Sequence, residues 1–469
     1  MSNTTNPDPH AFVLSKVTIF AARQSQTLDI TTSVVELELY ENINSLTLHG
    51  SLTFVDTAGI FEAADFSGTE AIFVNAHIPD SPSDKWTRMF YATKVVKGSK
   101  ASDNVEAFTI QLMDVDSYKN NINNISRAYS GKISDCLTSI LMEVWPTDNR
   151  RVMVGTQTIQ EPIKYIVPNI TPYEAMKVLT NRATGASGTP YYLYSSLSDR
   201  NIRFFDLKEL LDHSILNQQS YIYSAAHVNM DEGTPVSKSY HISHMDLRET
   251  EDMMSLIKNG DIGARYEYIN TAGGYVDEYH HDASKVFENV WNRSNQKQLA
   301  PVFDPIAQVG GKYLSEATAV NVSQITTSGV FEDFPSLNED LSELFHRSKS
   351  VSKSLRNFIR KSAITITVPG RNFFPLRANH TISNKLNITV LANTDISESM
   401  SDKQKLDMKR SGDYIVLAAK HNFNNVSKKY SVTMKLGKLG NREGQTTASR
   451  TGYGLGQVDP ALAKAAGGL

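Results

Sequence analysis

From Ser411 to Leu436 the chain alternates apolar and polar residues through two consecutive runs, and this pattern restricts the fold more than any other feature. Tyr414, Val416 and Ala418 share one side of the first run, and Tyr430, Val432, Met434 and Leu436 share one side of the second. Successive side chains of a strand point to opposite faces, so a period of two over this length requires strands with one buried face. Asn424-Asn425 between the runs supplies turn residues, which makes the pair a half-buried hairpin.

The same period governs the first 117 residues. Val35, Leu37 and Leu39 alternate with Glu36, Glu38 and Tyr40. After an expected turn at Glu41-Asn42-Ile43-Asn44, a second run places Leu46, Leu48, Gly50, Leu52 and Phe54 on one face. Further strands are expected at 69–78, 86–96 and 104–115, and near the C-terminus at 363–368, 385–391, 414–420 and 429–436. Successive strands joined by short turns predict antiparallel barrels or sandwiches. One barrel at each end is the economical arrangement.

Between them the period becomes helical. Ile133, Leu137, Ile140, Leu141 and Val144 mark one helix face around Cys136. Thr171, Pro172 and Glu174 are an N-cap, a first-turn proline and a capping-box acid, and they start a helix running to about Ala183. Two aromatic strands, Tyr191–Tyr194 and Ile202–Phe205, face each other across the turn 195–201, completing a small α+β unit. The region 223–361 is less regular. A helix is expected over Asp246–Ile257, and a hairpin joins Tyr266–Ile269 to Gly274–Tyr279. A long helix from about Asn338 to Lys361 carries Leu341, Leu344, Phe345, Leu355, Phe358 and Ile359 on one stripe.

Composition removes several function classes. A formal charge of −3 gives no electrostatic case for a dedicated nucleic-acid binder. One cysteine, Cys136, forms no internal disulfide and no zinc spacing, and its helical setting makes it a packing residue of a protein made in a reducing compartment. The polar start, Met1 to His10, is no secretory leader, and no run approaches the roughly 18 apolar residues of a membrane span. Asn169-Ile-Thr171 and Asn387-Ile-Thr389 are therefore not read as glycosylation sites.

Few residues in the sequence are arranged for catalytic chemistry. His241-Ile-Ser-His244 and His280-His281-Asp282 match no zinc-enzyme spacing and read as surface-loop histidines. Gly310-Gly311-Lys312 precedes Tyr313, and Ile306 stands where a phosphate-binding loop needs glycine. Gly-x-Ser-x-Gly and Gly-x-Gly-x-x-Gly units are absent. The basic run Arg347, Lys349, Lys353, Arg356, Arg360 and Lys361 fits the solvated side of its helix. No catalytic, cofactor-binding or metal residue is expected, and no cofactor.

The order of motifs near the C-terminus is more specific. A strand ending in Val368-Pro-Gly370 leads through Leu376 to strand 385–391 and a polar insertion. Ser411-Gly-Asp-Tyr-Ile-Val416, Lys420-His-Asn-Phe423 and Lys429-Tyr-Ser-Val-Thr-Met-Lys-Leu436 follow. This order resembles the C-terminal part of the baseplate hub proteins of contractile-tailed bacteriophages, a family found also in related contractile injection machines. The helix start Ile170-Thr-Pro-Tyr-Glu-Ala-Met176, then Asn181-Arg-Ala183 and Phe205-Asp-Leu207, look like that family's α+β insertion. The resemblance covers roughly residues 10–438 and departs at 394–410 and 260–360.

The resemblance implies a mainly β chain with α+β insertions: two tail-tube-type antiparallel β-barrels plus smaller α+β domains. The expected plan is a flexible N-terminus (1–10), a first tube-type barrel (11–117) and an α+β domain (118–222). A second tube-type barrel comes from 223–260 and 361–438, an irregular helical insertion occupies 261–360, and a flexible tail follows (439–469). The implied role is a structural virion protein, a homotrimeric baseplate hub joining the six-fold tail tube to the three-fold central spike. Implied partners are the spike, the tail tube or tube-initiator protein, baseplate wedge proteins and the tape measure protein. DNA passes through the lumen without sequence-specific binding. Such a protein resides in the virion tail and is assembled in the host cytoplasm. Two alternatives stay open: a tail-associated enzyme cleaving carbohydrate or cell wall, suggested by aromatics at 190–205 and 266–279, and the hub of a non-phage contractile injection system.

Overall fold

The computed structural model describes residues 8–21, 26–64, 66–102, 105–146, 151–155, 163–185, 188–216, 219–223, 239–246, 253–270, 275–283, 299–301, 308–309, 312–313, 321–326, 332–333, 351–360, 363–375, 381–390, 407, 410–438 and 440–442. The N-terminal strands are β1 (Val13–Ala21), β2 (Gln26–Asp29), β3 (Val34–Asn42), β4 (His49–Asp56), β5 (Ala71–Ile78), β6 (Ser81–Ser102) and β7 (Val105–Asp114), with the short helix α1 (Ile60–Ala64) after β4. The alternation of Gly50, Leu52 and Phe54 and of Phe108, Ile110 and Leu112 matches the buried faces of β4 and β7. β3 continues through the expected turn to Asn42, so Glu41 is a strand residue. A register shift between Val34 and Glu36 turns Val34, rather than Val35, into the core.

The middle elements are α2 (Val115–Asn121), β8 (Ala128–Gly131), α3 (Ile133–Val144), β9 (Val152–Val154), β10 (Ile163–Ile166), α4 (Pro172–Arg182), β11 (Tyr191–Ser195), β12 (Ile202–Asp206) and α5 (Leu207–Asp212). The capping box at Thr171 and Glu174 forms as expected. Packing of α3 and α4 against β10, β11 and β12 builds a second core around Leu137, Met176, Leu179 and Phe204. Leu46, from the β3–β4 turn, belongs to that core rather than to the barrel.

The remaining elements are β13 (Tyr221–Tyr223), β14 (His244–Asp246), α6 (Met253–Lys258), β15 (Gly263–Asn270), β16 (Tyr275–Asp282), β17 (Leu299–Pro301), β18 (Gln308–Val309), β19 (Lys312–Tyr313), β20 (Asn321–Thr326) and β21 (Glu332–Asp333). After them come α7 (351–360), β22 (Ile364–Pro369), β23 (Lys385–Val390), β24 (Gly412–Asn424), β25 (Lys429–Gly437) and β26 (Gly440–Arg442). Asp246 therefore sits in a strand, not in the helix expected there, because His244–Asp246 pairs with β22. On the expected long helix, Leu355, Phe358 and Ile359 are buried as the stripe predicts. Leu341, Leu344, Phe345, Arg347, Lys349 and Lys361 lie outside the described residues, as do Ile306, Gly310, Gly311 and Leu376. The 266–279 hairpin forms, and β20 adds to it in parallel on β15. Beyond Lys438, Gly440–Arg442 pairs with Leu299–Pro301.

One sheet of 13 strands, antiparallel except where β13 pairs with β23, organises the molecule, in the order β14-β22-β25-β24-β3-β4-β7-β6-β5-β1-β2, with β23 branching from β24 and β13 pairing β23. The fold is mainly β with α+β insertions, and the N-terminal strands β1–β7 and the C-terminal strands β22–β25 form one continuous sheet joined where β24 meets β3.

Candidate assembly site

β24 pairs antiparallel with β3 from Ala418 opposite Asn42 to Asn424 opposite Glu36. A register shift on β24 between Val416 and Ala418 changes which side chains face inward. Before it Tyr414 and Val416 are buried, and after it Ala419, His421 and Phe423 are buried while Ala418 is half-exposed. The expected face of Tyr414, Val416 and Ala418 is therefore broken by a bulge. On the opposing strand Glu41 is in phase with Leu37 and Leu39.

These two phases bring a carboxylate and an imidazole together inside the seam. His421 Nε2 lies 3.0 Å from Glu41 Oε2, and both side chains are no more than 1% exposed. The other ring nitrogen, Nδ1, lies 2.7 Å from the Tyr430 hydroxyl. That hydroxyl donates to the Phe373 carbonyl at 3.0 Å. The second oxygen of Glu41 accepts the Leu197 backbone N–H at 2.6 Å. Burial alone would raise the Glu41 carboxyl, but the hydrogen bond and charge of His421 and the Leu197 amide outweigh it and hold the carboxyl below its ordinary range. Burial, then the Glu41 charge, pushes the Tyr430 phenol well up.

An acid–imidazole–hydroxyl chain has the connectivity of a hydrolytic relay. Here the hydroxyl belongs to a fully buried tyrosine, and the chain holds segments together. It joins β3 (Glu41), the loop 195–201 (Leu197), the segment after Val368-Pro-Gly370 (Phe373) and the closing hairpin (His421, Tyr430). Phe423 stacks on Tyr430 with ring centroids 4.2 Å apart. Gly370 is required beside them, since a Cβ there would stand 2.4 Å from the Tyr430 ring. The N-terminal segment crosses the same hairpin: the Tyr430 N–H donates to the His10 carbonyl at 2.8 Å, and Phe12 meets Phe423 edge-on at 5.4 Å.

The loop 195–201 does more than turn a hairpin. Besides the Leu197 amide on Glu41, Trp86 Nε1 donates to the Leu197 carbonyl at 2.9 Å. Arg88 donates to the Asp199 carbonyl at 3.0 Å while pairing with buried Asp114 at 2.8 Å. Arg200 pairs with Asp116 at 2.6 Å. Tyr194 donates to Ser383 Oγ at 2.5 Å, tying β11 to the segment that precedes β23.

The sequence candidates for chemistry are dispersed. Among the described residues no group of three or more His, Cys, Asp or Glu could hold a metal ion. His280 is exposed, but His281 is not a surface-loop residue: it is buried on β16, with Nε2 3.0 Å from the Asp261 carbonyl. Burial pushes its imidazole down and pushes the Cys136 thiol up. Tyr191, Tyr192, Tyr194 and Phe204 are core residues, which removes them as a sugar-stacking platform. The basic run is only partly a solvated face. Arg360 is exposed, whereas Arg356 is half-buried against the insertion.

No known family profile matches this sequence, and no curated protein matches it. Among solved structures, the chain is similar to the tail protein from Neisseria meningitidis MC58, with a TM-score of 0.51 and 9% identity over 92% of this chain and 97% of that one. It is also similar to the 43 kDa tail protein of prophage MuSo2 from Shewanella oneidensis (TM-score 0.47, 10% identity, 90% and 97% covered). A third similar structure is the E. coli c3393 protein, described as a component of the type VI secretion system with structural similarity to T4 bacteriophage tail proteins gp27 and gp5 (TM-score 0.40, 9% identity, 86% and 73% covered). The chain shares its fold, over nearly the whole of both molecules, with the Neisseria tail protein.

Proposed function

We propose that this chain is a non-enzymatic structural subunit of a tail baseplate, a homotrimeric hub between a six-fold tube and a three-fold spike. The observation that supports the reading is the β3–β24 seam, which joins the N-terminal and C-terminal strand sets into one sheet within a single chain. With two tube-type barrels in each, three such chains would give six barrels in a ring, which is what a junction between those two symmetries requires. The ends of the main sheet, β2, β13 and β14, are four, three and three residues long, blunted edges that limit uncontrolled pairing. In this reading one end of the ring accepts the tube or its initiator and the other holds the spike. Wedge and tape measure proteins join around them, and DNA leaves through the lumen of a virion tail.

The test is the mass of the purified chain in solution, alone and mixed with the spike and tube proteins encoded beside it. A trimer, or a trimer formed on mixing, is the expected result. A stable monomer that joins neither protein would overturn the hub reading.

A further inference from the structure

Between the β3–β4 turn, α4 and α7 lies a cleft of about 410 Å³ that the hub reading does not use. Its wall carries Lys177, Arg356 and Arg360 against one carboxylate, Glu174. That carboxylate is already engaged, accepting from the Thr171 N–H at 3.2 Å and from Thr171 Oγ1 at 3.0 Å. Arg356 meets only neutral acceptors: Nη1 donates to Asn181 Oδ1 at 3.1 Å and Nη2 to the Tyr191 carbonyl at 2.7 Å. Its guanidinium also lies 5.6 Å from the centre of the Tyr192 ring. Among the described residues neither Arg356 nor Arg360 has a carboxylate partner. Tyr192 lines the cleft, is 2% exposed, and has a hydroxyl with no hydrogen-bond partner. A half-buried cation without a counter-charge and a buried hydroxyl without an acceptor are both unfavourable. One anionic acceptor would satisfy both.

We propose that this cleft receives a carboxylate carried by an acidic peptide segment of a protein partner, bound by Arg360, the spare donors of Arg356 and the Tyr192 hydroxyl. Arginine forks suit a planar carboxylate bidentately. Asn44, Ser45 and Thr47 on the facing wall offer donors and acceptors together, which matches peptide amides. A nucleic-acid strand fits less well, because Tyr173, Tyr191 and Tyr192 are all buried and leave no ring for base stacking. The inference concerns a cleft within one chain and stands or falls apart from the hub reading.

The experiment titrates the full chain with a fluorescent hexapeptide of Glu, Asp and Gly. The comparison ligands are the same peptide with Gln and Asn in place of the acids and a 12-nucleotide single strand. The acidic peptide is expected to bind at least about tenfold more tightly than the neutral one and to weaken as salt rises. Arg360→Gln, at an exposed position that leaves the fold intact, should weaken it about tenfold, and Tyr192→Phe about threefold at unchanged thermal stability. The proposal is overturned by no binding, by equal binding of the neutral peptide, or by binding that ignores both substitutions. Tighter binding of the oligonucleotide, lost in Arg360→Gln, would also overturn it in favour of a phosphate ligand.

Discussion

The seam and the cleft are both polar junctions between the barrels and the insertion, but they resolve their buried groups differently. In the seam each polar atom of Glu41, His421 and Tyr430 meets another group of the chain. In the cleft a tyrosine hydroxyl and an arginine charge are left over. A closed network of this kind fixes segments against one another. An open one keeps a place for something else, and the difference is visible only atom by atom.

The largest expected effect comes from cutting the seam. His421→Leu leaves Glu41 buried without its partner and should cost about 3–5 kcal/mol in urea unfolding. The double variant Glu41→Leu/His421→Leu should lose much less than the sum of the two single losses, and strict additivity would show that the pair is not coupled. Next is Gly370→Ala, expected to cost about 1–3 kcal/mol because the added methyl meets the Tyr430 ring. Two tyrosines then compare the junctions directly. Tyr430→Phe strands the buried His421 and should cost about 1–3 kcal/mol, while Tyr192→Phe removes an unpartnered hydroxyl and should change stability by less than about 0.5 kcal/mol or raise it. Equal losses at the two positions would erase the distinction. Acid supplies a gentler probe. The Glu41 carboxyl sits below its unfolded value, so its contribution is complete above the ordinary carboxylate range and fades as pH falls through the lowered value. Stability of the parent chain should therefore decline more steeply than that of Glu41→Gln between about pH 5 and pH 3.

Much of the fold was legible because strands and helices have different periods. The runs at 46–54 and 108–112, the capping box at Thr171 and the hairpin at 191–205 needed only local physics. The seam needed more. Glu41 interrupts the apolar phase of Leu37 and Leu39, and a carboxylate in that phase is itself a sign of a buried partner. On β24, residues 414–417 are all buried, whereas beyond the bulge only Ala419, His421 and Phe423 are, and that change of pattern accompanies the turn of His421 inward. The pairing of Glu41 with His421, 380 positions apart, was not legible, because period reports a face and not its neighbour. The cleft was hidden for a related reason. Arg356 reads as one of a row of helix-surface cations, and only packing against Asn181 and Tyr191 sets it apart from Arg360.

The seam also dictates an order of events during synthesis. β1 to β7 are complete by Asp114, but the strand that covers β3 arrives only at Gly412–Asn424. Domains fold as they emerge, so strands β1–β7 spend most of translation with β3 as an open edge. An uncovered apolar strand is a template for wrong pairing, and an inward-pointing charge is a known protection against it. Glu41 provides that charge. Before the closing hairpin exists it repels strands that would bury it without a partner, and once His421 arrives it becomes part of the lock. The same carboxylate thus guards the nascent edge and then identifies the one strand allowed to cover it.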